Sequence, residues 1–185
     1  METVVIDVGD GRISSRPDDL LVTYALGSCV AVAAWDPVAR IGGLLHFLLP
    51  EAGSDGQSQA SPCRYGDTGT AWLFRSLLAQ GAQRNRLVVS LAGGASVVND
   101  GGLFNIGKRN VTLARRVLWK AGLPVRAEEV GGTISRTVGL EVGTGRFWVR
   151  EPGQKPRDLV GGVAELAPRP VPAMAEPVSR TRAMR

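Results

Sequence analysis

The chain has one histidine, His46, and two cysteines, Cys29 and Cys63, so chemistry that needs an imidazole or a thiolate must use these residues. Histidine is the one side chain whose ordinary pKa lies near neutrality, and an adjacent imidazolium stabilises a thiol as the nucleophilic thiolate. A cysteine–histidine pair would therefore indicate acyl transfer through a thioester. Gly27 lets the backbone turn sharply before the cysteine, and the exposed amides of Ser28 and Cys29 could hold an oxyanion.

Strand geometry tests whether the thiol and the imidazole can meet. Cys29 precedes the apolar run Val30–Trp35, and His46 lies in the return run Ile41–Leu49. In an antiparallel hairpin the indices of facing residues have a constant sum. A four-residue loop after Asp36 gives a sum of 77 and places the two residues one diagonal step apart on one face, and a two-residue turn gives 75 and places them directly opposite. A three-residue loop would separate them, so a buried cysteine and a core histidine remain the ordinary alternatives.

Short apolar runs separated by glycine-rich turns predict many strands and few helices. The predicted strands are Val4–Val8, Leu20–Leu26, Val30–Trp35, Ile41–Leu49, Leu87–Leu91, Val125–Val130, Thr137–Val142, Arg146–Arg150 and one within Asp158–Leu166. Helices are predicted from Asp67 or Thr68 to about Leu78 and from about Lys108 to Ala121. We interpret Gly9-Asp10-Gly11 as a turn. The result is one α+β domain over residues 1–166, followed by a tail, 167–185, rich in Pro and Arg and expected to be disordered.

Charge and hydropathy argue against two classes of partner. The formal net charge is +5, but residues 167–185 hold four Arg and one Glu, which leaves the body of the chain nearly neutral. With 5% aromatic residues and no recognisable binding module, nucleic-acid binding is not expected. The chain also has no apolar run long enough to span a bilayer and begins without a secretory signal, so a soluble, cytoplasmic protein without membrane insertion is expected.

Metal and cofactor motifs are also weak. One His and two Cys are too few for a structural zinc site, which usually takes four such ligands. Residues 102–108 fit the phosphate-loop pattern G-x-x-x-x-G-K, but Arg109 stands where the Mg²⁺-binding Ser or Thr should be. No cofactor is therefore expected. We interpret Cys63, within the polar loop 51–66, as an exposed thiol that forms no disulfide with Cys29.

Four segments in order along the chain closely resemble the chemoreceptor glutamine deamidase family, CheD. They are the run Thr23–Val32 with its Gly-Ser-Cys sequence, the strand Gly42–Pro50 around His46, the turn Gly93–Ser96 and the helix start Asn105–Asn110. The resemblance extends from about Val4 to Leu166.

The resemblance implies an α+β sandwich with strands at its centre, a fold shared with certain bacterial toxin deamidases. It also implies a catalytic triad of Cys29, His46 and Thr23, in which the threonine hydroxyl orients the imidazole. From the residues alone, Thr23 would be only a common β-branched strand residue.

The implied activity is hydrolysis of glutamine side-chain amides on the cytoplasmic helices of methyl-accepting chemoreceptors, with release of ammonia and without a cofactor. A CheC-type phosphatase is the implied partner, and the apolar loop Ser96–Phe104 could contact it. Two alternatives stay open: a protein that mainly regulates that phosphatase by binding, and a methylesterase that acts on receptor glutamyl esters through the same thioester.

Overall fold

The computed structural model describes residues 1–53, 60–96 and 105–162. Within these residues the chain forms ten strands and two α-helices. The strands are β1 Glu2–Val5, β2 Asp10–Ser14, β3 Asp19–Leu26, β4 Val30–Asp36, β5 Ile41–Phe47, β6 Val88–Gly93, β7 Val125–Val130, β8 Arg136–Glu141, β9 Arg146–Arg150 and β10 Arg157–Gly161, and the helices are α1 Gly66–Ala79 and α2 Ile106–Lys120.

The strands form two five-stranded mixed sheets. Sheet 1 has the order β1-β3-β8-β9-β10 and sheet 2 the order β2-β5-β4-β6-β7. Parallel pairs occur only at one end of each sheet, between β1 and β3 and between β6 and β7, and the other described pairs are antiparallel. The α+β class with strands at its centre is therefore confirmed.

The central hairpin of sheet 2, β4–β5, is buried on both faces. One face packs against the two helices, and we call it the helix face; its apolar residues include Val30, Val32, Leu45 and Phe47. The opposite face packs against sheet 1, and we call it the inter-sheet face; its buried residues include Ala31, Ala33, Trp35 and Leu44. The core therefore consists of two apolar layers separated by sheet 2.

Amphipathic spacing explains why the helices cover sheet 2. Apolar residues three and four positions apart are buried on each helix. They include Leu73 and Leu77 of α1, and Val111, Ala114 and Leu118 of α2. Asn105 caps α2, because its side chain accepts a hydrogen bond from the Lys108 N–H. Both predicted helices are confirmed within two residues at each end.

The register of the central hairpin is one of those that the sequence left open. Val30 pairs with Phe47 and Asp36 with Ile41, so the four-residue loop and the index sum of 77 are confirmed. Asp36 stabilises this loop because its carboxylate accepts a hydrogen bond from the N–H of Val38 at 2.9 Å. This register places residues two positions apart on the same face, and so fixes which side chains point toward sheet 1.

The structure corrects the interpretation of Gly9-Asp10-Gly11 as a turn only. Asp10 begins β2, which pairs antiparallel with β5 and includes Asp10 opposite His46. The strand was missed because Asp-Gly-Arg-Ile-Ser has little β propensity and β2 forms at the edge of sheet 2 through tertiary pairing. The first strand also ends at Val5, earlier than the predicted Val8.

The remaining predicted strands agree with observed ones within about three residues at either end. The domain boundary at 166 and the tail 167–185 lie outside the described residues and stay predictions. Among the residues that the structure covers, no helix is long and apolar enough to cross a membrane.

Candidate active site

The imidazole of His46 lies at the boundary between the two sheets. His46 is in β5, pairs with Ala31 of β4 and is 1% exposed. Its Nδ1 is 2.7 Å from Oγ1 of Thr23, a fully buried residue of β3 in sheet 1. The two residues that the resemblance joined therefore meet across the space between the sheets.

A second hydrogen bond of Thr23 determines which nitrogen of His46 carries the proton. The Thr23 hydroxyl donates to the carbonyl oxygen of Ile6 at 2.7 Å, and a carbonyl can only accept. Because a hydroxyl has one hydrogen, its contact with His46 is satisfied when Nδ1–H donates to Oγ1. The neutral ring then has its lone pair on Nε2, which is the form that a general base requires.

Burial keeps this imidazole neutral. It lowers the pKa of His46 to about 4, and the negative charge of Asp7 opposes that effect only in part. Nε2 is buried and has no hydrogen-bond partner among the described residues. An unpaired buried nitrogen is costly, so its presence at this position is consistent with a group reserved for a substrate or a reacting thiol.

Cys29 lies on the same face of the hairpin. It is immediately before β4, is 9% exposed and packs in the same buried cluster as Ala31 and Leu44. The alternation of side chains along β4 places Cys29 on the same side as Ala31, whose cross-strand partner is His46. The structure therefore places all three proposed triad residues on the inter-sheet side.

The surroundings of the Cys29 thiol favour its neutral form. Burial raises the pKa of Cys29, and its own backbone amide opposes this in part. With the pKa of His46 lowered at the same time, the resting pair is a neutral thiol and a neutral imidazole, not a thiolate and an imidazolium. A thiolate at this position would therefore require transfer of the thiol proton to a base.

The turn that holds Cys29 is fixed through its carbonyl oxygens. Gly27 O accepts from the Ala95 N–H at 2.7 Å, and Cys29 O accepts from the Gly94 N–H at 2.7 Å. Gly93 must be glycine, because its φ is +109° and a Cβ there would lie 2.3 Å from Cys29 O. The Gly93–Ser96 segment therefore holds the backbone of the cysteine turn in place.

The amides of this turn bond to no other described residue, and that of Cys29 contacts its own thiol. Among the described residues, the N–H groups of Ser28 and Cys29 donate to no backbone or side-chain acceptor of another residue. Ser28 is half-buried and Cys29 lies next to it, so both amides are near the thiol. Two free donors beside a nucleophile can stabilise the negative oxygen of a tetrahedral intermediate.

The structure corrects the interpretation of Cys63 as an exposed thiol. Cys63 is 7% exposed and lies in a short 3-10 turn, Pro62–Arg64, that packs its side chain into the cluster on the helix face. Burial first, and the charge of Asp10 second, raise the pKa of Cys63 to about 11. Both cysteines are free thiols, and the hairpin lies between them.

Sequence reasoning missed two contributors to this site. The Ile6 carbonyl could not be predicted, because every residue has a backbone carbonyl and the sequence does not show which one contacts Thr23. Asn110 was quoted only as part of a helix start, yet its side chain contacts the turn around Cys29. The one signal available in the sequence was an asparagine among the apolar positions of the predicted helix, and the structure shows it fully buried.

The fold and the site define a class of protein: an α+β sandwich with a helical layer, in which a cysteine, a histidine and a threonine lie between two mixed sheets. The family model described as "CheD chemotactic sensory transduction" matches residues 48–151, a range that begins after His46. The chain belongs to the CheD family.

Curated relatives support the same assignment over most of the chain. A protein of Solibacter usitatus named "Probable chemoreceptor glutamine deamidase CheD" is 45% identical over 161 residues, which are 86% of this chain and 95% of that protein. "Probable chemoreceptor glutamine deamidase CheD 1" of Syntrophus aciditrophicus is 41% identical over 86% of this chain and 100% of that protein. One solved structure, Bacillus licheniformis hypothetical protein YfiH, has a TM-score of 0.42 and 20% identity over 65% of this chain and 49% of that chain.

Proposed function

We propose that this protein is a chemoreceptor glutamine deamidase that converts particular glutamines of methyl-accepting chemoreceptors to glutamate and ammonia. The names of its relatives support this activity. The structural observation that carries the proposal is the Thr23–His46 hydrogen bond, because it leaves Nε2 as an unpaired base on the face that also holds Cys29.

In the proposed first step, the Cys29 sulfur attacks the carboxamide carbon of the substrate glutamine while its proton moves to Nε2 of His46. The ring becomes an imidazolium whose Nδ1–H continues to donate to Thr23. The negative charge moves to the former carbonyl oxygen, where the amides of Ser28 and Cys29 stabilise it. Both reactants start neutral, so this step builds opposite charges beside each other in a buried site.

The second step releases ammonia. The His46 imidazolium gives its proton to the amide nitrogen, the carbon–nitrogen bond breaks, and a thioester between Cys29 and the glutamyl carbonyl remains. Neutral His46 then removes a proton from water, and the resulting hydroxide attacks the thioester. Collapse of this second intermediate returns the proton to sulfur and leaves glutamate, so thiol, imidazole and water balance the cycle without a cofactor.

The proposed activity also implies a cellular location and a partner for the protein. Receptor glutamines on cytoplasmic helices require a cytoplasmic enzyme, and we include that location in the proposal. A CheC-type phosphatase is proposed as a partner on the family resemblance. The apolar loop suggested for that contact lies, apart from Ser96, outside the described residues.

The test is incubation of the protein with a receptor cytoplasmic fragment, followed by a proteolytic digest and mass spectrometry. We expect a gain of about one dalton at each modified glutamine and a matching release of ammonia. Both signals should be lost in Cys29→Ala and in His46→Ala. Activity retained in Cys29→Ala would contradict the thioester route, and methyl-ester cleavage without amide cleavage would favour the methylesterase.

A further inference from the structure

Asn110 is a polar residue in an apolar place. It lies on α2 between the cap and the buried residues Val111 and Ala114, and it is 0% exposed. Its side-chain Nδ2 donates one hydrogen to the carbonyl oxygen of Ser28 and the other to that of Leu48, each at 2.9 Å. Both hydrogens of the amide group are therefore used on backbone far away in sequence.

These two carbonyls lie at the open end of the central hairpin. The last pair of the β4–β5 ladder is Val30 with Phe47. Beyond it the chain continues as the cysteine turn on one side and as the segment after Phe47 on the other, where the Leu48 N–H donates to the Arg64 carbonyl oxygen. Asn110 joins Ser28 to Leu48 at this point, so its side chain continues the connection between the two segments where backbone pairing stops.

The contact to Ser28 determines the orientation of a neighbouring amide. The Ser28 carbonyl and the Cys29 N–H belong to one peptide group, and the described peptide bonds are all trans, so the two point in opposite directions. Because α2 lies on the helix face, holding the carbonyl toward Asn110 directs the Cys29 N–H away from that face. The Ala95 N–H acts in the same way on the preceding peptide through Gly27 O.

We propose that Asn110 is a positioning residue for the oxyanion hole, which holds the Cys29 amide in the orientation that stabilises a tetrahedral intermediate. The inference rests on the proposed function in taking Cys29 as the nucleophile. Gly27 gives this turn rotational freedom, so the peptide can rotate once its carbonyl loses its partner. Close packing brings the helix within reach: a Cβ at Gly107 would lie 2.5 Å from Gly94 O.

Two reactions of the same thiol separate this role from a merely structural one. Acetylation by p-nitrophenyl acetate passes through a tetrahedral oxyanion, whereas alkylation by iodoacetamide does not. Both rates are measured at Cys29 in a Cys63→Ala background, with Asn110→Ala and Asn110→Leu as test variants. Leucine is close to asparagine in size and removes both donors without burying a charge or leaving a cavity, so it serves even where the alanine variant fails to fold.

In both Asn110 variants we expect acetylation to slow by about tenfold or more, since one oxyanion donor is worth about 10²–10³ in rate. Alkylation should change by less than about threefold, because it develops no oxyanion and loses only the contact of the Cys29 amide with its own thiol. The matched control is Leu118→Ala, a cavity in the same helix remote from the turn, which should destabilise the protein and leave both rates unchanged.

Equal losses of the two rates in the Asn110 variants, or no loss of either, would overturn the proposal. The result is independent of the receptor substrate. If the Asn110 variants show the expected difference between acetylation and alkylation while the wild-type protein releases no ammonia from receptor glutamines, the proposed function alone is contradicted.

Discussion

The two faces of the central hairpin each hold a buried cysteine, and only one of them has the surroundings of a nucleophile. Cys63 packs on the helix face at 7% exposure, and Cys29 on the inter-sheet face at 9%. Burial raises the pKa of both thiols. Exposure and acidity therefore do not distinguish them.

The difference lies in what surrounds each sulfur. On the inter-sheet face, Cys29 shares its side of the hairpin with the neutral imidazole of His46. The two amides of its turn donate to no acceptor of another described residue. On the helix face, Cys63 lies among apolar residues such as Leu73 and Leu77. A nucleophile is defined here by an available base and by donors for an oxyanion, and the hairpin supplies these to one face only.

Removing each thiol in turn gives the largest expected contrast. We expect Cys29→Ala to lower the rate of amide hydrolysis by at least about a thousandfold, since loss of a covalent nucleophile leaves only weak residual catalysis. Cys63→Ala should leave that rate within about twofold and lower the free energy of unfolding by about 1 kcal/mol through a small cavity. Ammonia release and denaturant titration measure the two effects. Equal losses of activity would remove the distinction between the faces.

The pH dependence of stability tests the buried imidazole. The pKa of His46 is about 4 in the folded protein and 6.5 for an exposed histidine of the unfolded chain, so the unfolded chain binds more protons between these values. The free energy of unfolding should fall as pH is lowered from 6.5 to 4, by on the order of 3 kcal/mol from this residue. Urea titrations at several pH values should show that the free energy of unfolding falls more steeply with decreasing pH for wild type than for His46→Gln. Parallel curves would show that the imidazole is not held neutral.

The threonine hydroxyl should have the smallest effect. Thr23→Val keeps the shape of the side chain and removes the acceptor for Nδ1–H, so the ring loses its tautomer preference. A neutral hydrogen bond contributes about 1 kcal/mol, which corresponds to a fall in kcat of roughly fivefold. Thr23→Ser retains the hydroxyl and should retain most activity. If serine and valine behave alike, the hydroxyl does not orient His46.

Much of the fold follows from periodicity. The glycine-separated apolar runs predicted most of the strands, and the end of α2 was predicted within one residue. The hairpin arithmetic predicted that Cys29 and His46 share a face if the sum of paired indices is 75 or 77, and the observed sum is 77. Prediction succeeded where a buried face imposes a repeat of two or 3.6 residues.

It failed where tertiary contacts decide the outcome. The strand β2 has a polar sequence and exists because β5 provides a partner for its backbone. Asn110 contacts Ser28 across 82 residues of sequence, and Thr23 contacts the Ile6 carbonyl across 17. No local sequence pattern predicts contacts at such separations. Thr23 was identified through the family resemblance, because in sequence it is an ordinary strand residue.

The partners of the cysteine turn also set an order of events during synthesis. Cys29 and His46 emerge early, but the groups that hold the turn come from Gly94, Ala95 and Asn110, much later in the chain. Because translation proceeds from the N-terminus, the nascent chain contains the thiol and the imidazole long before their geometry exists. A ribosome-bound fragment that stops before residue 110 therefore has both reactive groups and no organised site in which to use them.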